Sequence, residues 1–343
     1  MLLAEPKASE AKPPFSTLPS QLVSQIENIL QSKIISGNVF YGSIGASATF
    51  KVKTADNRCF FLKGTHPNEK AHGVKIIRQE YDFLKNHHAM HSLTAKLYGL
   101  VSDDGEDGWT LMVSEFLDKK SPLPPWTDEK IKAVFSTIKT YQSFSFDDLH
   151  PITTHNIWGP LLRGDILNWH KILHRNELFE GFLSLFADQD KAKAWLSQLT
   201  PHLLADEQKQ TTLKADGLMH GDLRSDNIIL TSDGVKIIDW PDGIFGIKAL
   251  DVISFVHGVS AEWLKSPHDL YLLYDPAPNL DTVKIINSML SGLYARQAWR
   301  PVPSVMPRLR WMQKMQLYPA LFWLSQLHKL DPPPPFQEMT ACY

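Results

Sequence analysis

The sequence predicts a two-lobed α+β protein: a small lobe built on an antiparallel β-sheet with a helix, then a large, mainly helical lobe. Three features of the 343 residues lead there. Between Val39 and Phe116, short apolar runs alternate with polar turns, the pattern of β-strands. From Lys119 to Pro125, charge and proline interrupt the chain as a linker does. Beyond that point apolar residues recur every three or four positions, as on helices. Nine of the ten tryptophans lie there, enough aromatic mass to fill a large core.

Residues 1–16 are rich in Ala, Lys, Glu, Ser and Pro and are expected to be a disordered tail. The small lobe is expected over 17–114, the linker over 115–125, the large lobe over 126–331 and a proline-rich tail over 332–343. Leu22, Ile26, Ile29 and Leu30 form one apolar stripe after a Ser20 cap, which predicts a helix ending near Gly37. Phe50–Lys53 and Cys59–Lys63 read as strands around an Asp56-Asn57 turn. Ahead of them, Gly42, Gly45 and Ser47 belong to a run of small residues whose backbone amides could approach a phosphate. Lys63 ends the second strand. Val74, Ile77, Tyr81 and Leu84 then mark a helix that carries Glu80, 17 positions beyond Lys63. Ala95–Val101 and Trp109–Phe116 bring the expected strands to five. In the large lobe, Ile131, Val134 and Ile138, then Phe179, Phe182, Leu183 and Phe186, then Trp195, Leu196 and Leu199 predict helices within 127–215. Ile286, Met289, Leu290 and Leu293 continue the pattern, as do Trp311, Met315, Leu321, Trp323 and Leu324. His87 and His91, and His170 and His174, have helical spacing but lack the third ligand of a zinc site.

The stretch with the clearest chemistry runs His220-Gly221-Asp222-Leu223-Arg224-Ser225-Asp226-Asn227 and resumes at Ile237-Ile238-Asp239-Trp240. Two apolar β-branched runs, 227–230 and 235–238, flank Ser232-Asp233-Gly234, so a tight hairpin is predicted, with Asp-Gly as its turn. The hairpin would bring Asp222, Asn227 and Asp239 to one mouth. Phosphoryl transfer needs a carboxylate to orient or deprotonate the acceptor hydroxyl, and hard oxygen ligands to hold Mg²⁺ on the phosphates. Asp222 fits the first role, Asn227 and Asp239 the second. His220 is expected to brace the loop backbone.

With His-Gly-Asp at the position of the base, this stretch resembles the aminoglycoside phosphotransferase and choline kinase family of small-molecule kinases, which share the protein-kinase fold. The resemblance extends from about residue 20 to 330 and is strongest over 218–252. It implies ATP as donor, with GTP as the alternative, Mg²⁺, and a small-molecule hydroxyl as acceptor. It also implies that Lys63 and Glu80 pair to hold the nucleotide phosphates, that Gly42, Gly45 and Ser47 belong to a nucleotide loop, and that backbone groups at Glu115–Leu117 hold the adenine edge. Asp251 would brace the catalytic loop. Arg224 stands where protein kinases place a lysine that reaches the γ-phosphate; a surface salt bridge is the other reading. Pro241 replaces the glycine that follows the metal-binding aspartate in protein kinases. Together with the missing Ala-Pro-Glu segment and the long helical insert, this argues against a protein kinase. A catalytically inert binding module is the further alternative.

A net charge of −2 gives no reason to expect nucleic acid, and two cysteines, Cys59 and Cys342, make neither a disulfide framework nor a metal pair. That cysteine usage leads to the expectation of a reducing, cytoplasmic setting, and no apolar run approaches the roughly 18 residues a membrane span needs. Residues 282–330 carry seven Lys or Arg and no Asp or Glu. If they wall the acceptor site, they suit a neutral or acidic acceptor better than a polycation.

Overall fold

The computed structural model describes the chain except residues 43, 44, 46, 66–70, 104–107, 120, 150–166 and 341–343, and the side chains of residues 71 and 72. In the small lobe, helix α1 (Ser20–Leu30) buries Leu22, Ile26 and Leu30 and stops where Gln31 turns left-handed, with φ 51°. Strand β1 (Ile34–Val39) follows, inside the stretch expected to finish the helix. β2 (Ala48–Thr54), β3 (Cys59–Thr65), β4 (Leu97–Ser102) and β5 (Thr110–Glu115) complete an antiparallel sheet in the order β1-β2-β3-β5-β4. Side chains alternate across a strand. Phe60 and Leu62 therefore join Phe50, Val52, Leu111 and Val113 in a core under α1, and Phe61 and Lys63 take the other face. Helix α2 (Ala71–Asn86) packs against β3, β4 and β5 and buries Ile77, Glu80 and Leu84.

The large lobe begins with α3 (Asp128–Gln142), which Thr127 caps by accepting from the Lys130 amide. Helices α4 (Asn168–His174), α5 (Asn176–Leu183) and α6 (Gln189–Lys209) follow. Next come β6 (Gly217–Met219), the hairpin β7 (Ile228–Thr231) and β8 (Gly234–Ile237), and β9 (Ile244–Gly246), which pairs with β6. Thr231 pairs with Gly234, so the hairpin loop is Ser232-Asp233, and of the expected Asp-Gly pair only Gly234 takes positive φ, at 114°. Helices α7 (Ala249–Trp263), α8 (Pro267–Tyr271), α9 (Leu280–Ala295) and α10 (Leu309–Leu327) enclose the main core, where Trp169, Trp240 and Trp323 are fully buried. Among the described residues no helix is long and apolar enough to cross a membrane.

The N-terminal tail is ordered rather than disordered, and both tails are anchored to the large lobe. Leu2 and Leu3 are buried in the large-lobe core, and the Leu2 amide donates to the Ala261 carbonyl at 2.7 Å. Glu10 is buried against Arg308, while Lys12 reaches Thr49 at 2.7 Å and Phe15 packs edge-on to Phe50 in the small lobe. The first sixteen residues therefore run from one lobe to the other. At the other end Phe336 is buried between Phe186 and Tyr318, and Thr340 donates its amide to the Leu2 carbonyl. A polar average over each tail hid the few apolar residues that anchor it.

One buried histidine makes the large lobe acid-sensitive. His257 on α7 donates from Nε2 to Asn287 Oδ1 on α9 at 2.5 Å, and its Nδ1 has no partner among the described residues. Burial pushes its imidazole from 6.5 down to about 4. A folded pKa below the unfolded one contributes stability that is full above pH 6.5 and is lost as the pH falls towards 4. Urea denaturation at pH 7.5 and at about pH 4.5 should show wild type losing about 2.5 kcal/mol more than His257→Gln; equal losses would contradict this.

Candidate active site

The cleft between the lobes encloses about 820 Å³. From above it receives Lys63, whose Nζ lies 2.5 Å from Glu80 Oε2 on α2 and 2.6 Å from Asp239 Oδ1 just beyond β8. Burial disfavours all three charges, and the outcome differs for each. The two carboxylates outweigh burial at Lys63 and hold its ammonium above the ordinary lysine value. Lys63 outweighs burial at Asp239 and holds that carboxyl below the usual range, whereas burial pushes Glu80 up. Asp239 adopts φ 69°, a left-handed conformation that a residue with a Cβ holds only when its surroundings impose it. Its neighbour Trp240 supplies that constraint. The indole stacks on Phe83 of α2 at 5.5 Å, and its backbone amide donates to Glu80 Oε1.

From below the cleft receives the loop between β6 and β7. Asp251 in the first turn of α7 accepts the His220 amide at 2.6 Å, the Gly221 amide at 2.9 Å and the Tyr141 hydroxyl at 2.7 Å. His220 bridges the Ile238 carbonyl and the Asp222 amide through its two ring nitrogens. Gly221 sits at φ +85°, and a Cβ there would come within 3.3 Å of Asp242, which is why glycine occupies this position. The buried Asn227 donates its amide N–H to the Asp222 carbonyl at 2.9 Å. These contacts fix the backbone on either side of Asp222.

Arg224 is drawn into a clamp on the loop. It is 14% exposed, and its guanidinium spans two carboxylates: Nη1 donates to both oxygens of Asp222 at 2.6 and 2.5 Å, and Nε and Nη2 to Asp226 at 3.0 and 3.1 Å. Burial raises the Asp222 carboxyl, and Arg224 opposes that rise. The clamp is thus a partly buried ion triad that faces the cleft, not a surface pair.

Gly42, Gly45 and Ser47 line the same cleft, with Glu115, Phe116 and Leu117 at its hinge end. The intervening residues 43, 44 and 46 lie outside the described residues, as does Cys342. His87 spends both ring nitrogens on the Phe83 and Leu149 carbonyls, and no group of three or more His, Cys, Asp or Glu among the described residues could hold a metal. Mg²⁺ needs no such group, because it keeps several waters and takes one or two protein oxygens. Asn227 has committed its N–H and Asp239 its Oδ1, which leaves one amide oxygen and one carboxylate oxygen, a hard pair that fits Mg²⁺.

Sequence reasoning missed Glu262, which accepts from Ser225 Oγ and from Trp126 Nε1 beside the clamp. It stands eleven residues after Asp251, about three helical turns, on the same face of α7. That spacing could have found it. Two of the cations in 282–330 are neutralised. Arg308 pairs with Glu5 and Glu10, and Lys314 with Glu338, all from outside the segment. Its residues on the large cleft are Met306, Leu309 and Met312.

A five-stranded sheet lobe above a helical lobe, with a lysine–glutamate pair over a braced His-Gly-Asp loop, defines a protein-kinase-like fold. The chain belongs to the phosphotransferase enzyme family, whose family model matches residues 42–278. A search of curated proteins found no match. Among solved structures, a thermostable mutant of aminoglycoside phosphotransferase APH(4)-Ia, in ternary complex with ADP and hygromycin B, shares 13% identity. It covers 91% of this chain and 98% of its own, with a TM-score of 0.55. Spectinomycin phosphotransferase APH(9)-Ia, in complex with ADP and spectinomycin, shares 13% identity over 88% of this chain and 94% of its own, at a TM-score of 0.53. A protein assigned as a fructosamine-3-kinase from Thermobifida fusca shares 14% identity over 88% and 99%, at 0.52. At these identities the likeness concerns the fold.

The brace under the loop yields a prediction. Asp251→Asn leaves one acceptor oxygen for three donors and turns an N–H towards a backbone N–H. It should cost about 2–4 kcal/mol in urea denaturation. A cost below about 1 kcal/mol would mean that the loop holds itself.

Proposed function

We propose that the protein transfers the γ-phosphoryl group of ATP, with GTP as the alternative donor, to a hydroxyl of a small molecule. The observation that carries this reading is the meeting of Lys63, Asp222, Asn227 and Asp239 on one cleft whose rim holds Gly42, Gly45 and the hinge residues Glu115–Leu117. The solved structures of similar fold that hold ADP beside spectinomycin or hygromycin B support it.

In this reading the adenine edge lies against the hinge backbone and the phosphates run under the glycine-containing loop. Lys63, kept charged and oriented by Glu80, meets the α and β phosphates. Asn227 and Asp239 would hold Mg²⁺, which when bound neutralises phosphate charge. Asp222 accepts the proton of the acceptor hydroxyl, and the freed oxygen forms a bond to the γ-phosphorus. The bond to the bridging oxygen breaks, and ADP leaves with the electron pair. Arg224 holds both Asp222 oxygens, so it orients the base and opposes the rise in its pKa that burial causes. A cytoplasmic setting belongs to the same proposal. The inert-module alternative has no use for four charged or chelating groups converging on one cleft.

Screening hydroxylated metabolites and aminoglycosides for Mg²⁺-dependent nucleotide turnover, then repeating the active case with Asp222→Asn, tests the proposal. The amide keeps the shape and cannot take the proton, so turnover should fall by about 10²-fold or more while nucleotide affinity is retained. Turnover within a few-fold of wild type would remove Asp222 from the mechanism.

A further inference from the structure

The chain passes between the lobes twice, along residues 10–15 and again between β5 and α3. The first crossing is anchored at both ends. On the large-lobe side Leu2 and Leu3 are buried, with the Leu2 amide on the Ala261 carbonyl and Trp311 Nε1 of α10 on the Leu3 carbonyl. Glu10 completes that anchor. Its side chain is fully buried, and its two oxygens accept Nε and Nη2 of Arg308 at 2.8 and 2.6 Å. On the small-lobe side Lys12 donates to Thr49 Oγ1 of β2 at 2.7 Å. Phe15 then packs edge-on to Phe50 and sits over Gly37 of β1, where a Cβ would come within 2.4 Å of its ring.

This crossing has little length to give. Phe15 follows Glu10 by five positions, so their Cα atoms can stand at most about 18 Å apart. Pro13 and Pro14 stiffen the segment, and Pro14, at φ −70° and ψ 150°, has the extended polyproline II conformation. Parting the lobes at this point therefore means breaking the Glu10–Arg308 pair or lifting Phe15 off the sheet. The anchors also touch the cleft. Arg308 stands directly before Leu309, which lines the large cleft with Met312 at the start of α10, and Thr49 lines it from the small lobe. The two crossings run close together: Met1 and Glu5 line one smaller cavity, of about 240 Å³, with Lys119, Leu123 and Pro124. A joint of two neighbouring crossings opens and twists less freely than a joint of one.

We infer that residues 10–15 are a strap that limits how far the lobes can part, locked to the large lobe by the Glu10–Arg308 pair, and that it thereby slows nucleotide exchange. The limit on opening stands on the contacts themselves; its effect on exchange rests on the nucleotide reading of the cleft.

Added slack tests the strap without removing either anchor. About six Gly and Ser residues are inserted between Ala11 and Lys12 of the full chain, as a flexible spacer, and thermal unfolding verifies the fold. Spin labels at Lys53→Cys on β2 and Lys193→Cys on α6, both exposed positions, in a Cys59→Ser, Cys342→Ser background, report the distance between the lobes by pulsed electron resonance. The insertion should add a population at least about 3 Å longer, one residue of slack, that wild type lacks. Bound Mg-ADP should leave the variant about threefold faster or more in stopped flow. Should the insertion variant not fold, Glu10→Gln, which removes the charge from the lock, takes its place with the same two changes expected. Identical distance distributions in the folded variant and wild type, or wider lobes with unchanged release of bound Mg-ADP, would overturn the inference. Wider lobes in the variant of a protein that binds no ADP would uphold the limit on opening and overturn the function proposed above.

Discussion

The ammonium of Lys63, set between Glu80 and Asp239, is the contact on which the cleft depends. It joins three elements: β3 of the small lobe, α2 beside it, and the exit of the β7–β8 hairpin in the large lobe. Removing one partner of a buried ion pair costs about 3–5 kcal/mol, because the remaining charge has no water to return to. Here one cation answers two carboxylates, and burial drives Glu80 towards its neutral form. The triad holds Lys63 pointing into the cleft rather than along the sheet. The left-handed turn at Asp239 brings its carboxylate to Lys63, and the Trp240 stack on Phe83 and the Trp240 amide on Glu80 hold that turn.

The lower half of the site is built on the opposite principle, with hydrogen bonds from backbone to a single buried carboxylate. Asp251 gathers two amides and a tyrosine hydroxyl, so the His220–Asp222 backbone cannot shift without leaving donors unsatisfied. In the proposed reaction, a donor phosphate and an acceptor hydroxyl would meet between the rigid floor under Asp222 and the charged roof at Lys63. Arg224 lines that cleft and the smaller cavity as well.

Much of this was legible in the sequence because it is local. The loop residues from His220 to Asn227, the hairpin and Asp239 lie within twenty positions; the helix that carries Glu80 can be read by periodicity, and its pairing with Lys63 from the family resemblance. What escaped depends on distant partners or on single side chains. β1 was read as the end of a helix because Ile34-Ile35 adjoins a helical stripe, and Ile35, at 59% exposure, breaks the alternation that marks a half-buried strand. The N-terminal segment was read by composition, although Leu2 and Leu3 outweigh its polar residues once a core is there to receive them. Nothing in residues 282–330 reveals that Glu5, Glu10 and Glu338 neutralise Arg308 and Lys314. The direction of Arg224, towards Asp222 rather than a phosphate or solvent, is a matter of side-chain geometry that spacing does not encode.

The most direct measurement is a calorimetric titration of Mg-ADP into wild type and Lys63→Met, with thermal unfolding to verify that the variant folds. Wild type should bind, and loss of the charge that meets the phosphates should weaken binding by about 10–100-fold, the equivalent of a charge-assisted hydrogen bond of 1.5–3 kcal/mol. Absence of nucleotide binding by wild type, or equal affinity in the folded variant, would contradict a cleft built around Lys63 for a nucleotide.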